Sequence, residues 1–357
     1  MAELNNHTIF RRNGYLDVVK FVAIFFVLWG HVIAQTTELK NPNTDYIYQF
    51  IYTFHMPLFM GLCGFFFSKS LCGFRNNISL FLHKRMVHRL ISLIIPTASF
   101  GFIKFLLWGG GSLYTYLTIT HNIWFLLDLA INTIILTFLL YFCRNKFSYD
   151  WKILLFGIPF SAIPIIGYGG LGVSMYLSFI VGFCLSEYFH IKYKRVTNYF
   201  IPALIIYMLS FCLFNLLPYP PGIFSINFKR IPLQWLVVFD FLRVVLAISG
   251  CFMILIFTYR FYNYFLDSRI VEIAKYWGTR TLDIYLLNTI FIEAVGGPAY
   301  RKLIDIGIVV KINTYGYFIE AFISLFITIV MLKVIMLADK ALCKNEMMKK
   351  VLFYRFK

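Results

Sequence analysis

Tyr15-Leu-Asp17-Val-Val-Lys20-Phe-Val-Ala-Ile-Phe-Phe-Val-Leu-Trp-Gly-His31 is the stretch that decides the class of this chain. No charged residue lies between Lys20 and His31. A helix on the surface of a soluble domain breaks its apolar stripe with polar residues at every turn, and this run does not. Extended over residues 18–36, it reaches the roughly 20 mostly apolar residues that a bilayer crossing needs. Lys20 and His31 are eleven positions apart. A helix therefore presents both near one face, about three turns and about 16 Å apart along its axis.

Outward from this stretch the pattern recurs at 47–68, 88–108, 122–142, 152–168, 171–189, 199–217, 233–259, 280–298 and 314–338, ten candidate spans in all. The 357 residues are 60% apolar and 14% charged, with a mean hydropathy of +0.74. Soluble domains carry about 45–50% apolar and about 25% charged residues. Soluble enzymes, nucleic-acid binders and disordered scaffolds are thereby excluded. The expected fold is an all-α polytopic membrane protein of about ten transmembrane helices. The only breaks are short connections, one of them Pro-rich around Pro218, Pro220 and Pro221.

The net charge of +17 belongs to topology, because Lys and Arg collect in the connections. Of the 33 basic residues, 23 fall on one side, six on the other, and four (Lys20, Lys104, Arg243, Lys333) within spans or at their edges. With the basic side held inside, both termini are cytoplasmic. The division is then a cytoplasmic tail at 1–14, a transmembrane domain at 15–339 and a basic cytoplasmic tail at 340–357. Val32-Ile33-Ala34 loosely resembles a signal-peptidase site, but the informative residues of the first span argue that it is retained. Seven cysteines show no metal or redox spacing, and neither a disulfide nor a metal is expected.

Ionisable residues in lipid are costly, and are usually functional or paired. They are Lys20, His31, His55, Lys104, Asp128, Asp240, Arg243, Asp283, Glu293 and Glu320. Asp240 and Arg243, three apart, predict a mutual ion pair. Asp128, one turn after Trp124, either lines a polar cavity or bonds a neighbouring span. Asp283, Glu293 and Glu320 are expected close enough to an interface to be solvated. For His31 two readings stand, a reacting group or a hydrogen bond to a neighbouring helix.

Five segments in order carry a resemblance. The Lys20-to-His31 spacing is similar to the Arg-x10-His pattern in the first helix of the integral-membrane acyltransferase family three, the sugar O-acyltransferases. Phe54-His55-Met56-Pro57-Leu58-Phe59 with Gly61 and Gly64 resembles that family's second span. Lys84-Arg85, Arg89 and Pro96 resemble its basic entry into the third, and Trp124-Phe125-Leu126 its fourth-span motif. Gly278-Thr-Arg-Thr-Leu-Asp-Ile-Tyr285-Leu-Leu-Asn288 resembles a late segment that often ends in His. The chain departs at Lys20, where Arg is usual, and at Asn288, to which no proton transfer is assigned. The likeness covers 17–288 and is nearest to the stand-alone, fucose 4-O-acetylase-like group, since no hydrolase-like domain follows the last span.

The resemblance implies transfer of an acetyl group from cytosolic acetyl-CoA to a hydroxyl of a cell-surface glycan or lipid-linked sugar, in the inner cell membrane. Acetyl-CoA is the donor, no cofactor is permanently bound, and a succinyl group would also be tolerated. The catalytic residue is His31, as general base or as the carrier of an acyl-imidazole. Lys20, Arg85 and Arg89 would hold CoA phosphates, with Asp17 orienting Lys20. Positive-inside anchoring is the other reading of the Arg pair. His55, Trp124 and Tyr285 are candidates for the acceptor cavity, with core packing the alternative for His55 and Trp124. A transporter of a lipid-linked glycan is the competing function.

Overall fold

A computed structural model describes residues 13–36, 45–71, 74, 78–121, 123–142, 155–161, 169–187, 197–217, 233–307 and 317–353. Helices α1 (Gly14–Thr36) and α2 (Tyr46–Leu71) lead the chain. A helical turn at Ile78–Phe81 and a π-helical stretch at Leu82–Met86 run into α3 (Val87–Leu107). Then follow α4 (Leu113–His121), α5 (Trp124–Phe142), α6 (Gly169–Glu187), α7 (Phe200–Leu216), α8 (Leu233–Tyr264) and α9 (Arg269–Gly278). One continuous helical run comprises α10 (Thr281–Asn288), a π segment (Thr289–Gly296) and α11 (Gly297–Asp305). The chain closes with α12 (Tyr317–Lys344) and α13 (Glu346–Phe353).

No strand occurs among the described residues, as expected where lipid leaves backbone groups no partner but their own helix. Among the described residues, six helices are long and apolar enough to cross a membrane, and Gly172–Ser186 and Phe200–Leu216 are shorter apolar helices. Nine of the ten expected runs coincide with helical segments. The fifth, 152–168, is described only at Leu155–Ser161, where two short turns stand. The Pro-rich connection and the basic connection at 192–195 lie outside the described residues.

Close backbone approach fixes the crossing of α2 with α6. A Cβ added at Gly64 would strike the carbonyl of Phe179, and one at Gly182 would strike that of Gly61. Small residues let helices meet at backbone distance where lipid supplies no hydrophobic drive to associate. Gly278, at the end of α9, is held in the same way against the Asp17 carbonyl of α1. Gly109, Gly110 and Gly111 carry φ of 88°, 73° and 137°, and this turn folds α4 back along α3. The Tyr116 hydroxyl there donates to the Ala98 carbonyl at 3.2 Å.

Within the segment 340–357 the chain is helical as far as Phe353, and Phe353 is buried against Phe100 with ring centroids 5.6 Å apart. The expectation for the three carboxylates changes. Asp283 and Glu320, expected to be solvated, are buried. Glu293 is only 15% exposed and ion-paired. The expected Asp240–Arg243 pair forms, at 3.0 Å.

Candidate active site

Helix α1 carries a polar group near each end. Toward its start, Lys20 donates to Asp17 Oδ1 at 2.8 Å and lies 4.8 Å from the Phe66 ring centre. Arg89 of α3 sits 5.0 Å over the Phe67 ring. Both cations act electrostatically on Cys63 of α2, Lys20 from α1 and Arg89 from α3. Arg85, in the π-helical stretch before α3, is exposed and lies over Phe74 at 5.7 Å. It belongs to the same aromatic wall, since Phe74 and Phe67 each touch Phe81. Among the described residues, however, no contact joins Arg85 to Lys20.

Toward the other end of α1 the His31 imidazole meets Glu293. Nδ1 stands 3.1 Å from Oε1, and the second carboxylate oxygen accepts from Lys104 Nζ of α3 at 2.6 Å. Lys104 is 2% exposed, Glu293 15% and His31 27%, so the imidazole keeps an open side while the cation is sealed. Lys104 also lies 5.0 Å over the Trp108 ring. A carboxylate on Nδ1 selects the tautomer that carries its hydrogen there, leaving Nε2 as a free acceptor.

Backbone irregularity aims Glu293. Residues eight apart on an α-helix, at about 3.6 residues per turn, point in different directions. The wider i→i+5 turn of the π segment returns Glu293 to the face that Tyr285 presents. Both residues lie within electrostatic range of Tyr52 on α2. Tyr52 meets the His55 ring edge-on at 4.6 Å, and His55 Nδ1 donates to the Ile51 carbonyl at 2.7 Å. His31 and His55 lie within electrostatic range of each other. Trp124 stands further out, touching Phe125, which in turn touches Tyr285.

The structure therefore sorts the expected site residues into two groups, one toward each end of α1, with Arg89, His55 and Tyr285 supplied by other helices. Asp17, Lys20 and Arg89 occupy one level, and His31, His55 and Tyr285 the other. Trp124 and Arg85 stand at the margins. Sequence reasoning missed Glu293 and Lys104 as partners of His31, and missed Tyr52 altogether. The available clue was complementary charge on two spans, 189 positions apart, with nothing local to pair them. Asp283, Asp339 and Cys343 bring ligand atoms within 4.8 Å of one another. Arg280 faces both carboxylates, at 3.6 and 3.7 Å, one cation between two anions.

This geometry can take a proton from a hydroxyl at His31 and hold an anion near Lys20 and Arg89. A family model described as an acyltransferase domain matches residues 13–336. Neither a curated protein nor a solved structure matches the chain.

Proposed function

The chain belongs to the integral-membrane acyltransferase family three, and on that premise we propose that it transfers an acetyl group from acetyl-CoA to a hydroxyl of a glycan or lipid-linked sugar. It would lie in the inner cell membrane in ten spans, both termini and the Lys20 level cytoplasmic and the His31 level toward the outer face. One observation carries this reading. Two groups of opposite duty flank α1, the cations Lys20 of α1 and Arg89 of α3 at one level and the carboxylate-backed imidazole of His31 at the other, with Lys20 and His31 about 16 Å apart by helical rise. That is a distance for the extended arm of CoA to cover, with its phosphates at Lys20 and Arg89.

The chemistry follows from the tautomer. With Glu293 3.1 Å from Nδ1, the neutral imidazole would carry its hydrogen on that nitrogen, so Nε2 accepts the proton of the acceptor hydroxyl as its oxygen bonds to the thioester carbon. The imidazolium formed is stabilised by Glu293, the task of a carboxylate behind a general base. The carbon–sulfur bond of the tetrahedral intermediate then breaks, and His31 returns the proton to the leaving thiolate. Products are an acetyl ester and free CoA, with His31 restored. The carboxylate on Nδ1 favours this base role over an acyl-imidazole. Lys20 and Arg89 bind a part of the donor that does not react, so they act mainly on affinity.

The test is purified protein in detergent with acetyl-labelled acetyl-CoA and a panel of free and lipid-linked oligosaccharides. Ester-linked label in a saccharide is the expected result. Lipid-linked glycan crossing proteoliposomes without any acetylation would instead establish the transporter.

A further inference from the structure

Asn288 is wholly buried, and among the described residues neither its amide nitrogen nor its carbonyl oxygen has a hydrogen-bond partner. Its polar neighbour Thr289 spends its hydroxyl on the Leu286 carbonyl at 2.7 Å. Leaving a buried polar group unsatisfied is costly, and an orphaned pair on one side chain calls for a function. Its place in the chain supplies one. Asn288 is three residues on from Tyr285, hence on the same helical face, and one π turn before Glu293. Tyr285 and Glu293 both act electrostatically on Tyr52. Asn288 thus stands on the face turned to the His31 site, one turn nearer the Lys20 level than Glu293.

We propose that Asn288 recognises a secondary amide of the thioester donor, the one separated from sulfur by two methylenes in the pantetheine arm. The inference rests on the acetyl-transfer reading. A carboxamide offers donors and an acceptor side by side, the complement of a secondary amide's C=O and N–H. Two methylenes also match the spacing. With the thioester carbon at His31 and Glu293, the first amide lies about one helical turn, about 5 Å, toward Lys20, where Asn288 is. The arm reaches this covered position by displacing the side chains now packed there, and its amide supplies the two hydrogen bonds that Asn288 lacks.

The experiment compares two short donors in the full-length protein, S-acetyl-N-acetylcysteamine, which keeps this amide, and S-butyl thioacetate, which does not. Neither carries phosphates, so Lys20 and Arg89 drop out of the comparison. The wild type is expected to favour the amide donor in kcat/KM by about tenfold or more, the scale of two ordinary hydrogen bonds. Asn288→Leu should bring that ratio near one and raise the KM for acetyl-CoA, while melting no earlier than the wild type, since an unsatisfied amide is gone. Asn288→Ala gives the same comparison if the leucine variant folds poorly. A folded variant that keeps the wild-type preference overturns the inference and leaves the acetyl-transfer reading standing. A wild type that transfers acetyl from no thioester, acetyl-CoA included, overturns both.

Discussion

A lysine ammonium that is 2% exposed inside a membrane-crossing helix persists only where a counter-charge meets it, and Lys104 has Glu293. Removing one partner of a buried pair costs about 3–5 kcal/mol, because the other charge is left uncompensated. Lys104→Met should lose stability on that scale. It should also lower kcat by about 10²-fold, the contribution of a well-placed general base, as Glu293 turns away from His31. Thermal melting and steady-state kinetics on the same sample check both. Lys20→Arg, which restores the residue usual in the family, should keep activity. At this scale the sequence shows single charges well. Lys20 and His31 are visible because one helix carries both and spacing alone fixes their relation. Glu293 is also visible, but its partners at positions 31 and 104 meet it only through packing that no local pattern encodes.

Helix by helix, apolar periodicity places the elements, and the structure adds what aims them. The π segment around Glu293 ends on Gly296, before Gly297-Pro298, residues that signal a break and not a wider turn, yet it decides which face the carboxylate takes. Contact at the α2–α6 crossing depends on Gly64 and Gly182, so Gly64→Leu should destabilise by about 1–3 kcal/mol or more, the usual cost of overpacking. Detergent melting and yield of folded protein measure it. Gly278→Leu should displace α9 from Asp17 and with it Lys20, raising the donor KM more than it lowers kcat. The basic entry to α3 gives a graded expectation. Arg89→Gln should weaken CoA binding about tenfold or more, on the scale of a charge-assisted bond. Arg85→Gln should weaken it less, because Arg85 is exposed and stands apart from Lys20. Calorimetric titration of CoA against folded variants separates them. Equal, negligible effects would make both residues topological anchors.

At the scale of the whole molecule, composition was enough to exclude a soluble protein, and the spans follow from run length alone. Helix α13 was hidden because a short basic segment reads as a solvated tail. Phe353 shows its other side only once Phe100 is beside it. Orientation rests on the 23-to-6 distribution of Lys and Arg. Met347 and Lys302 are both exposed and should lie on opposite faces. In intact cells an impermeant maleimide should label Lys302→Cys directly, and Met347→Cys only after permeabilisation. The opposite pattern would invert the topology and with it the direction of the donor arm.

The central claim, that His31 backed by Glu293 takes the acceptor's proton while the cations of the Lys20 level hold the donor, is tested most directly by single-turnover acetyl transfer. The measurement uses labelled acetyl-CoA with folded wild type, His31→Ala and Glu293→Gln. The account predicts no transfer by His31→Ala and a rate about 10²–10⁴-fold down in Glu293→Gln, with CoA affinity unchanged in both. Wild-type transfer rates in a folded His31→Ala variant would contradict it.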